Sequence, residues 1–528
     1  MAGVLGTTGI TLLVIGLAQL LPAAVALTSG TPGLWLLLGA LGTIAAGAAL
    51  VPLRRRARKW TRRESLGIVL LSWVGAILAS AVPFLVTGAA GPVDALLESA
   101  SGVTTTGATI FVDVDRLSTT AGGPGPPAGV VAGLHLWRAL THWLGGAGIV
   151  LVVVMLTPFL DDVEALRRTQ RSEASLLTER YRGSTKATMR GLLTVYIGAT
   201  VMHGVALVAL GVGAWDALLH ALSTLSTGGF SNKTASLGAW GSAAQLVTVA
   251  FMLVGALNFA LLGRIVEEVR AEVSRRAREG GYLAATTFGL RAAPLLAGRA
   301  LWRSGEARSY LLLLAASAGA VSLMLATSDL ARYHGPTGAW RGFVDATFYV
   351  VSLSTTTGFG TVDYTTWPVA CQVVLFGLML IGGCAGSTAG GIKLRRAAIV
   401  GKYIHREAVR YAHPRAVLPI RLGGTVVPEE HVREALGYAA TYGAVVMSIA
   451  LAVGLSGADP LTTAGSAVSA IGSVGPGFGE VGPAGSFQGM HGPVKLVLCL
   501  AMLLGRLEIY PVLTVLRPSF WVRRGRIV

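Results

Sequence analysis

Ser101-Gly-Val-Thr-Thr-Thr-Gly107, with the segment Val93-Asp94-Ala-Leu-Leu-Glu98 ahead of it, decides how this chain is read, because a related stretch recurs three more times. The second copy runs from Trp215-Asp216-Ala-Leu-Leu-His220 to Leu225-Ser226-Thr227-Gly228-Gly229-Phe230. The third runs from Val344-Asp345-Ala-Thr-Phe-Tyr349 to Thr355-Thr356-Thr357-Gly358-Phe359-Gly360. The fourth, more divergent, runs from Asp459-Pro460 to Gly472-Ser473-Val474-Gly475-Pro476-Gly477. Aligned on Gly107, Gly228, Gly358 and Gly475, the copies lie 121, 130 and 117 residues apart. A period this regular marks duplicated structural units.

Around the repeats the chain is apolar. Of 528 residues 53% are hydrophobic and 13% charged, with a mean hydropathy of +0.64, which excludes an ordinary soluble domain. A membrane span needs roughly 20 apolar residues, and ten stretches qualify: 4–27, 33–53, 65–87, 131–160, 189–212, 241–262, 309–326, 367–384, 435–455 and 494–516. The first has no basic residues before it and is read as a span, not a cleaved leader. The net charge of +17 comes from alternate loops, since segments 54–63, 167–190, 264–308, 393–433 and 517–526 hold 36 of the 43 Lys and Arg. Basic loops stay cytoplasmic, so these segments and both termini are expected inside a cell membrane. Topology accounts for the charge, and no nucleic-acid partner is expected. Cys371, Cys384 and Cys499 lie in or at the ends of apolar stretches without ligand spacing and read as small buried hydrophobes.

Each repeat reads as span, short helix, glycine-containing loop, span. Asp94, Asp216, Asp345 and Asp459 stand where an N-cap would start the short helix. Roughly ten to fourteen residues then precede the loop, too few to cross a bilayer, so the segment must re-enter. Irregular backbone at that depth survives only where it is buried or lines a water-filled path. Four such loops about one axis would supply a ring of carbonyl oxygens able to replace the hydration shell of a monovalent cation. The expected fold is an all-α polytopic membrane protein: four pseudo-repeated span, pore-loop, span units around a central ion pore, plus two extra N-terminal transmembrane helices. The boundaries fall at 1–63 for the extra pair and at 64–188, 189–307, 308–434 and 435–528 for the repeats. The candidate ion-binding residues are Thr105, Thr106 and Gly107; Thr227 and Gly228; Thr356, Thr357 and Gly358; and Ser473, Val474 and Gly475. Glycine allows the torsions that turn successive carbonyls inward, and Ser and Thr add hydroxyls. Glu98, Asp113, Asp115, Asp363 and Glu480 read either as an acidic mouth that concentrates cations or as plain solubilising charge.

Two further features lie off the repeats. Gly382 to Gly391 places five glycines in the apolar stretch that starts at Trp367, at a cost of about 1 kcal/mol each in a continuous helix. It reads as an unwound segment, or alternatively as a small-residue helix interface. Arg506 lies within the last apolar stretch, where a charge normally faces a polar cavity or partner. The alternative is an arginine snorkelling to the cytoplasmic side beside Glu508.

These residues resemble the TrkH/KtrB superfamily of microbial potassium transporters, TrkH most of all, over nearly the whole chain. The most specific elements are Ser101-Gly-Val-Thr-Thr-Thr-Gly-Ala-Thr109, Ser226-Thr-Gly-Gly-Phe-Ser231, Gly382-Gly-Cys-Ala-Gly-Ser-Thr-Ala-Gly-Gly391 with Ile392-Lys393, and Leu503-Leu-Gly-Arg506-Leu-Glu508. The two leading spans are a TrkH feature that KtrB lacks. The resemblance implies potassium as the transported ion, a homodimer, and a cytoplasmic nucleotide-binding regulatory subunit like TrkA. It also implies an intramembrane gating loop, here Gly382, Gly383, Ala385, Gly386, Ser387, Thr388, Gly390 and Gly391, with Lys393 and with Arg506 as a barrier or latch. The fourth repeat departs from the pattern, because Gly472-Ser473 stand where TrkH members often carry amide side chains.

No phosphate-binding loop, nucleophile triad or metal-ligand cluster occurs in the sequence, so neither an enzyme nor an organic cofactor is expected. A coupled carrier, the potassium-binding subunit of a P-type ATPase and a membrane scaffold are the alternatives.

Overall fold

The computed structural model describes residues 2–27, 30–56, 62–160, 185–280, 293 and 295–521. The expected basic segments 54–63, 167–190, 264–308 and 517–526 lie partly outside these described residues.

The apolar stretches form helices, the conformation that satisfies every backbone group within its own segment. Six are long and apolar enough to cross a membrane: α1 (Ala2–Ala26), α2 (Thr31–Leu50), α3 (Arg62–Val86), α6 (Thr185–Ala209), α10 (Gly305–Ala326) and α14 (Glu429–Gly454). The fourth stretch is the 33-residue helix α5 (Ala128–Leu160). Helices α1 and α2 pack on each other, and α1 packs on α3 and α5. Small residues allow this contact: a Cβ on Gly47 would lie 2.8 Å from the Gly9 carbonyl. Between α13 (Leu394–Ala412) and α14 a hairpin of two-residue strands, Arg421–Leu422 and Thr425–Val426, is the sole β-structure among the described residues outside an isolated bridge.

Two stretches expected as continuous spans are broken. Residues 241–262 divide into α8 (Ser242–Ala256) and α9 (Phe259–Gly280), bent by 106°, and 494–516 divide into α16 (Gly492–Arg506) and α17 (Ile509–Leu516), bent by 119°. At the first break Leu257 is extended, and Asn258 caps α9 by accepting from Ala260 N and Leu261 N at 2.8 and 3.3 Å. At the second, Glu508 adopts φ 61° and pairs with Arg396 at 2.9 Å. The stretch from Trp367 ends as a helix at Ile381 (α12, Val369–Ile381), as the glycines of 382–391 led us to expect.

The short helices are α4 (Pro92–Val103), α7 (Ala214–Leu225), α11 (Gly335–Ser354) and α15 (Pro460–Gly472). The 12 to 13 residues of α4, α7 and α15 reach about 18–20 Å at the α-helical rise, well short of a bilayer core, whereas the 20-residue α11 is longer than the sequence spacing predicts. Three of the four expected caps are not caps. Helices α4, α7 and α11 are preceded by Gly91, Gly213 and His334, none of which caps through its side chain. Asp94 instead accepts from Lys495 Nζ on α16, and Asp216 accepts from Asn232 Nδ2 at 2.6 Å. Asp345, well inside α11, accepts from Tyr333 Oη and Thr361 Oγ1. These carboxylates tie the short helices to neighbouring segments. Asp459 does cap, accepting from Leu461 N and Thr462 N at 2.9 and 3.1 Å.

Candidate functional site

All four short helices end in one backbone geometry. Thr105, Thr227, Thr356 and Ser473 take φ of 54°, 53°, 55° and 54°. This left-handed region is unfavourable for a β-branched residue and costs about 1–3 kcal/mol at each position. The N–H of each of these residues bonds three residues back, and the next N–H bonds five back: Thr106 to Ser101 O, Gly228 to Ser223 O, Thr357 to Ser352 O and Val474 to Ser469 O, at 2.8–3.0 Å. That bond pair closes a helix with a left-handed residue and directs the chain away from the helix axis. The fourth repeat shares this geometry in full despite its divergent Gly472-Ser473.

One residue further on stand Gly107, Gly229, Gly358 and Gly475, with φ of 89°, 81°, 80° and 100°. The second repeat is therefore shifted by one from the sequence alignment: Gly229 is the positive-φ glycine, and Gly228 occupies the place of Thr106, Thr357 and Val474. The glycines pack on neighbouring loops in cyclic order. A Cβ on Gly107 would lie 2.3 Å from Gly228 O, on Gly229 1.9 Å from Thr357 O, on Gly358 1.9 Å from Val474 O, and on Gly475 2.8 Å from Thr106 O. The sequence of contacts returns to its start, so the loops form a closed ring. Among the described residues, none of the four carbonyls at Thr106, Gly228, Thr357 and Val474 accepts a hydrogen bond. Hydroxyl pairs brace two facing loops, Thr104 with Thr106 and Thr355 with Thr357, each at 2.8 Å. The carbonyl ends of four helices point at the same region and add negative potential.

Behind the first two loops lies a buried ion pair that sequence reading missed. Arg138 Nε on α5 donates to Glu98 Oε1 on α4 at 2.7 Å, with both side chains no more than 2% exposed. The guanidinium also donates to Ser231 O at 2.7 Å and lies 4.0 Å from the Phe230 ring centroid, while Glu98 accepts from Ile110 N at 3.0 Å. Glu98 is thus an internal strut, not a charge of the outer mouth. A lone arginine inside the apolar stretch 131–160 was the available signal.

Below the ring runs the non-helical segment from Gly382 (φ 72°) to Lys393 (φ 77°). Thr388 N and Oγ1 donate to Gly255 O at 3.2 and 2.9 Å, and Oγ1 also reaches Leu225 O, the last carbonyl of α7. Gly390 N donates to Thr356 Oγ1 at 2.7 Å, and a Cβ on Gly390 would lie 2.0 Å from Gly472 O at the end of α15. The segment is therefore wedged against the ends of three of the short helices. Its lower side is held by bonds from Cys384 N to Ala256 O, from Phe259 N to Gly386 O, and from Ala385 N to Glu306 Oε1 at 2.8 Å. Lys393 Nζ donates to Ala389 O within the segment. Ser387, Thr388 and Ala389 are buried.

Arg506 Nη1 donates to the Thr388 carbonyl. Its Nε and Nη2 have no hydrogen-bond partner among the described residues, and the residue is 4% exposed. Glu508 pairs with Arg396, so Arg506 is neither a snorkelling residue nor the partner of Glu508. Among the described residues no three His, Cys, Asp or Glu come together to hold a metal. The ring offers backbone oxygen instead.

Four short helices that end in one closed ring of loops within an apolar helical bundle are the architecture of a membrane transport protein. The TrkH family model, described as cation transport protein, matches residues 43–521, and this chain belongs to that family. The Trk system potassium uptake protein TrkH of Halomonas elongata is 33% identical over 528 residues, covering 98% of each chain. TrkH of Escherichia coli is 31% identical over 476 residues, covering 89% of this chain and 88% of its own. The crystal structure of the potassium transporter TrkH from Vibrio parahaemolyticus matches with a TM-score of 0.80 at 29% identity over 99% of both chains.

Proposed function

We propose that this chain takes up potassium through a channel-like pore whose selectivity filter is the four-loop ring and whose gate is the segment 382–391. The observation that carries the reading is the closed ring of buried carbonyls with no hydrogen-bond donor among the described residues. Buried carbonyls left unmatched cost free energy that a partly dehydrated cation recovers. The names of the related potassium uptake proteins agree with potassium as the cargo. A negative-inside potential supplies about 2.3 kcal/mol per charge per 100 mV, enough to drive inward flow with no energy source in the chain itself. Both termini on the cytoplasmic side, a homodimer and a TrkA-like nucleotide-binding subunit acting on the gate complete the proposal.

Rubidium uptake into liposomes containing the purified chain, under an imposed negative-inside potential, tests it. Uptake that potassium inhibits and sodium inhibits weakly is the expected result. No uptake by the wild type or by a variant lacking Arg506 would sink the pore reading. Gly358→Ala is expected to abolish that uptake while the protein still elutes as a folded particle, because its Cβ would lie 1.9 Å from Val474 O at a φ of 80°. Wild-type uptake by this variant would show that the ring is not the path.

A further inference from the structure

Gly229 needs to be glycine for its torsion, but Gly228 does not, since it has no positive φ. At the matching positions the other loops carry Thr106, Thr357 and Val474. What denies Gly228 a side chain is His142 on α5: a Cβ there would lie 2.1 Å from His142 Nδ1 and 2.4 Å from Cγ. The imidazole is fully buried and stacks on Phe230 with centroids 4.0 Å apart. It lies one helical turn from Arg138, which contacts the same loop through Ser231 O and the Phe230 ring.

The bracing serines differ in the same way. Ser352 Oγ donates directly to Phe359 O at 2.8 Å, and Ser469 Oγ donates to Gly475 O at 2.6 Å, each tying a loop to its own helix. In the second loop Ser223 Oγ meets His142 Nδ1 at 2.9 Å, and Phe230 N donates to that same nitrogen at 3.4 Å. An N–H can only donate, so Nδ1 is the acceptor and Ser223 donates to it as well. The histidine thus takes the place of the missing side chain and of the direct serine brace found in the third and fourth loops; in the first loop Ser101 Oγ has no hydrogen-bond partner among the described residues. His142 Nε2 is buried and makes no hydrogen bond of normal geometry among the described residues, with the Ser101 backbone beside the ring.

We infer that His142 is a positioning residue for ion selection: it stands in for the side chain that the second filter loop lacks and so sets where the Gly228 carbonyl lies in the ring. This rests on the pore reading above.

The test is reciprocal. Full-length wild type, H142A, G228T and H142A/G228T are compared in liposomes for rubidium and sodium flux, with thermal stability measured in parallel. H142A is expected to lower the rubidium-to-sodium flux ratio by about tenfold, within the range for coupled neighbours. G228T alone should lose selective flux by collision with the imidazole. The double variant, with a threonine like Thr106 and Thr357 in the vacated space, should recover a ratio above that of either single variant. A purely structural role would lower stability additively and give no recovery. If H142A does not assemble, H142G, which also removes the Cγ and Nδ1 that crowd Gly228, must still show the lowered ratio. A wild type that carries no monovalent cation refutes the pore reading itself. A selective wild type with an unaltered ratio in H142A or H142G, or a double variant no better than the singles, overturns this inference alone.

Discussion

Arg506→Ala is expected to raise rubidium uptake by about tenfold or more in liposomes containing this chain without any partner. The guanidinium donates to the Thr388 carbonyl, while Thr388 reaches Leu225 O at the end of α7 and Gly390 N donates to Thr356 Oγ1 of the third loop. A hydrogen bond to a charged group contributes about 1.5–3 kcal/mol, and 1.4 kcal/mol is a factor of ten in a two-state equilibrium. On the proposed pore reading, removing Arg506 shifts the segment toward a displaced state by that factor and also takes a buried positive charge away from the proposed path. Both effects act in the same direction. Arg506→Lys keeps the charge and one donor and should fall between the two. Equal uptake by wild type and R506A at equal reconstituted protein would show that the contact does not hold the segment in place.

Glu98→Ala is expected to destabilise the fold by about 3–5 kcal/mol, the usual cost of stranding one member of a buried ion pair. Arg138 would keep its bond to Ser231 O and its place over Phe230, but its charge would be uncompensated at 2% exposure. The loops behind the first two repeats would loosen together. Replacing both partners by apolar residues, Glu98→Leu with Arg138→Met, should cost much less, because a buried pair is often matched by an apolar pair of similar volume. Thermal unfolding in detergent, followed by loss of the folded particle on size exclusion, reads both variants. A single-variant midpoint equal to that of the double would show that the pair carries no coupling.

Most of the architecture was legible in sequence for one physical reason. Lipid offers the backbone no hydrogen bonds, so apolar length defines helices directly. The glycines of 382–391 revealed a break in the same way, through local cost. The breaks at Leu257 and Glu508 were harder to see, because each interrupts an apolar run at one or two residues, as Asn258 does. Aspartate as an N-cap failed at Asp94, Asp216 and Asp345 because their partners, Lys495, Asn232 and Thr361, lie elsewhere in the chain.

The opening stretch Ser101 to Gly107 shows where the division falls. Its fourfold recurrence, and hence a ring of re-entrant loops, was determined by sequence alone, and the serines at 101, 223, 352 and 469 even carry the correct spacing. Aligning the glycines hid that spacing, because Gly228-Gly229 offers two choices and only backbone torsion tells them apart. Tertiary structure decided which glycine turns the loop, that His142 and the Glu98–Arg138 pair stand behind it, and that Arg506 reaches Thr388 in place of Glu508. The last three are contacts between residues from 40 to more than 100 positions apart. Local propensity and periodicity act within a few residues, whereas buried charges and glycine clefts find their partners only once the helices have packed.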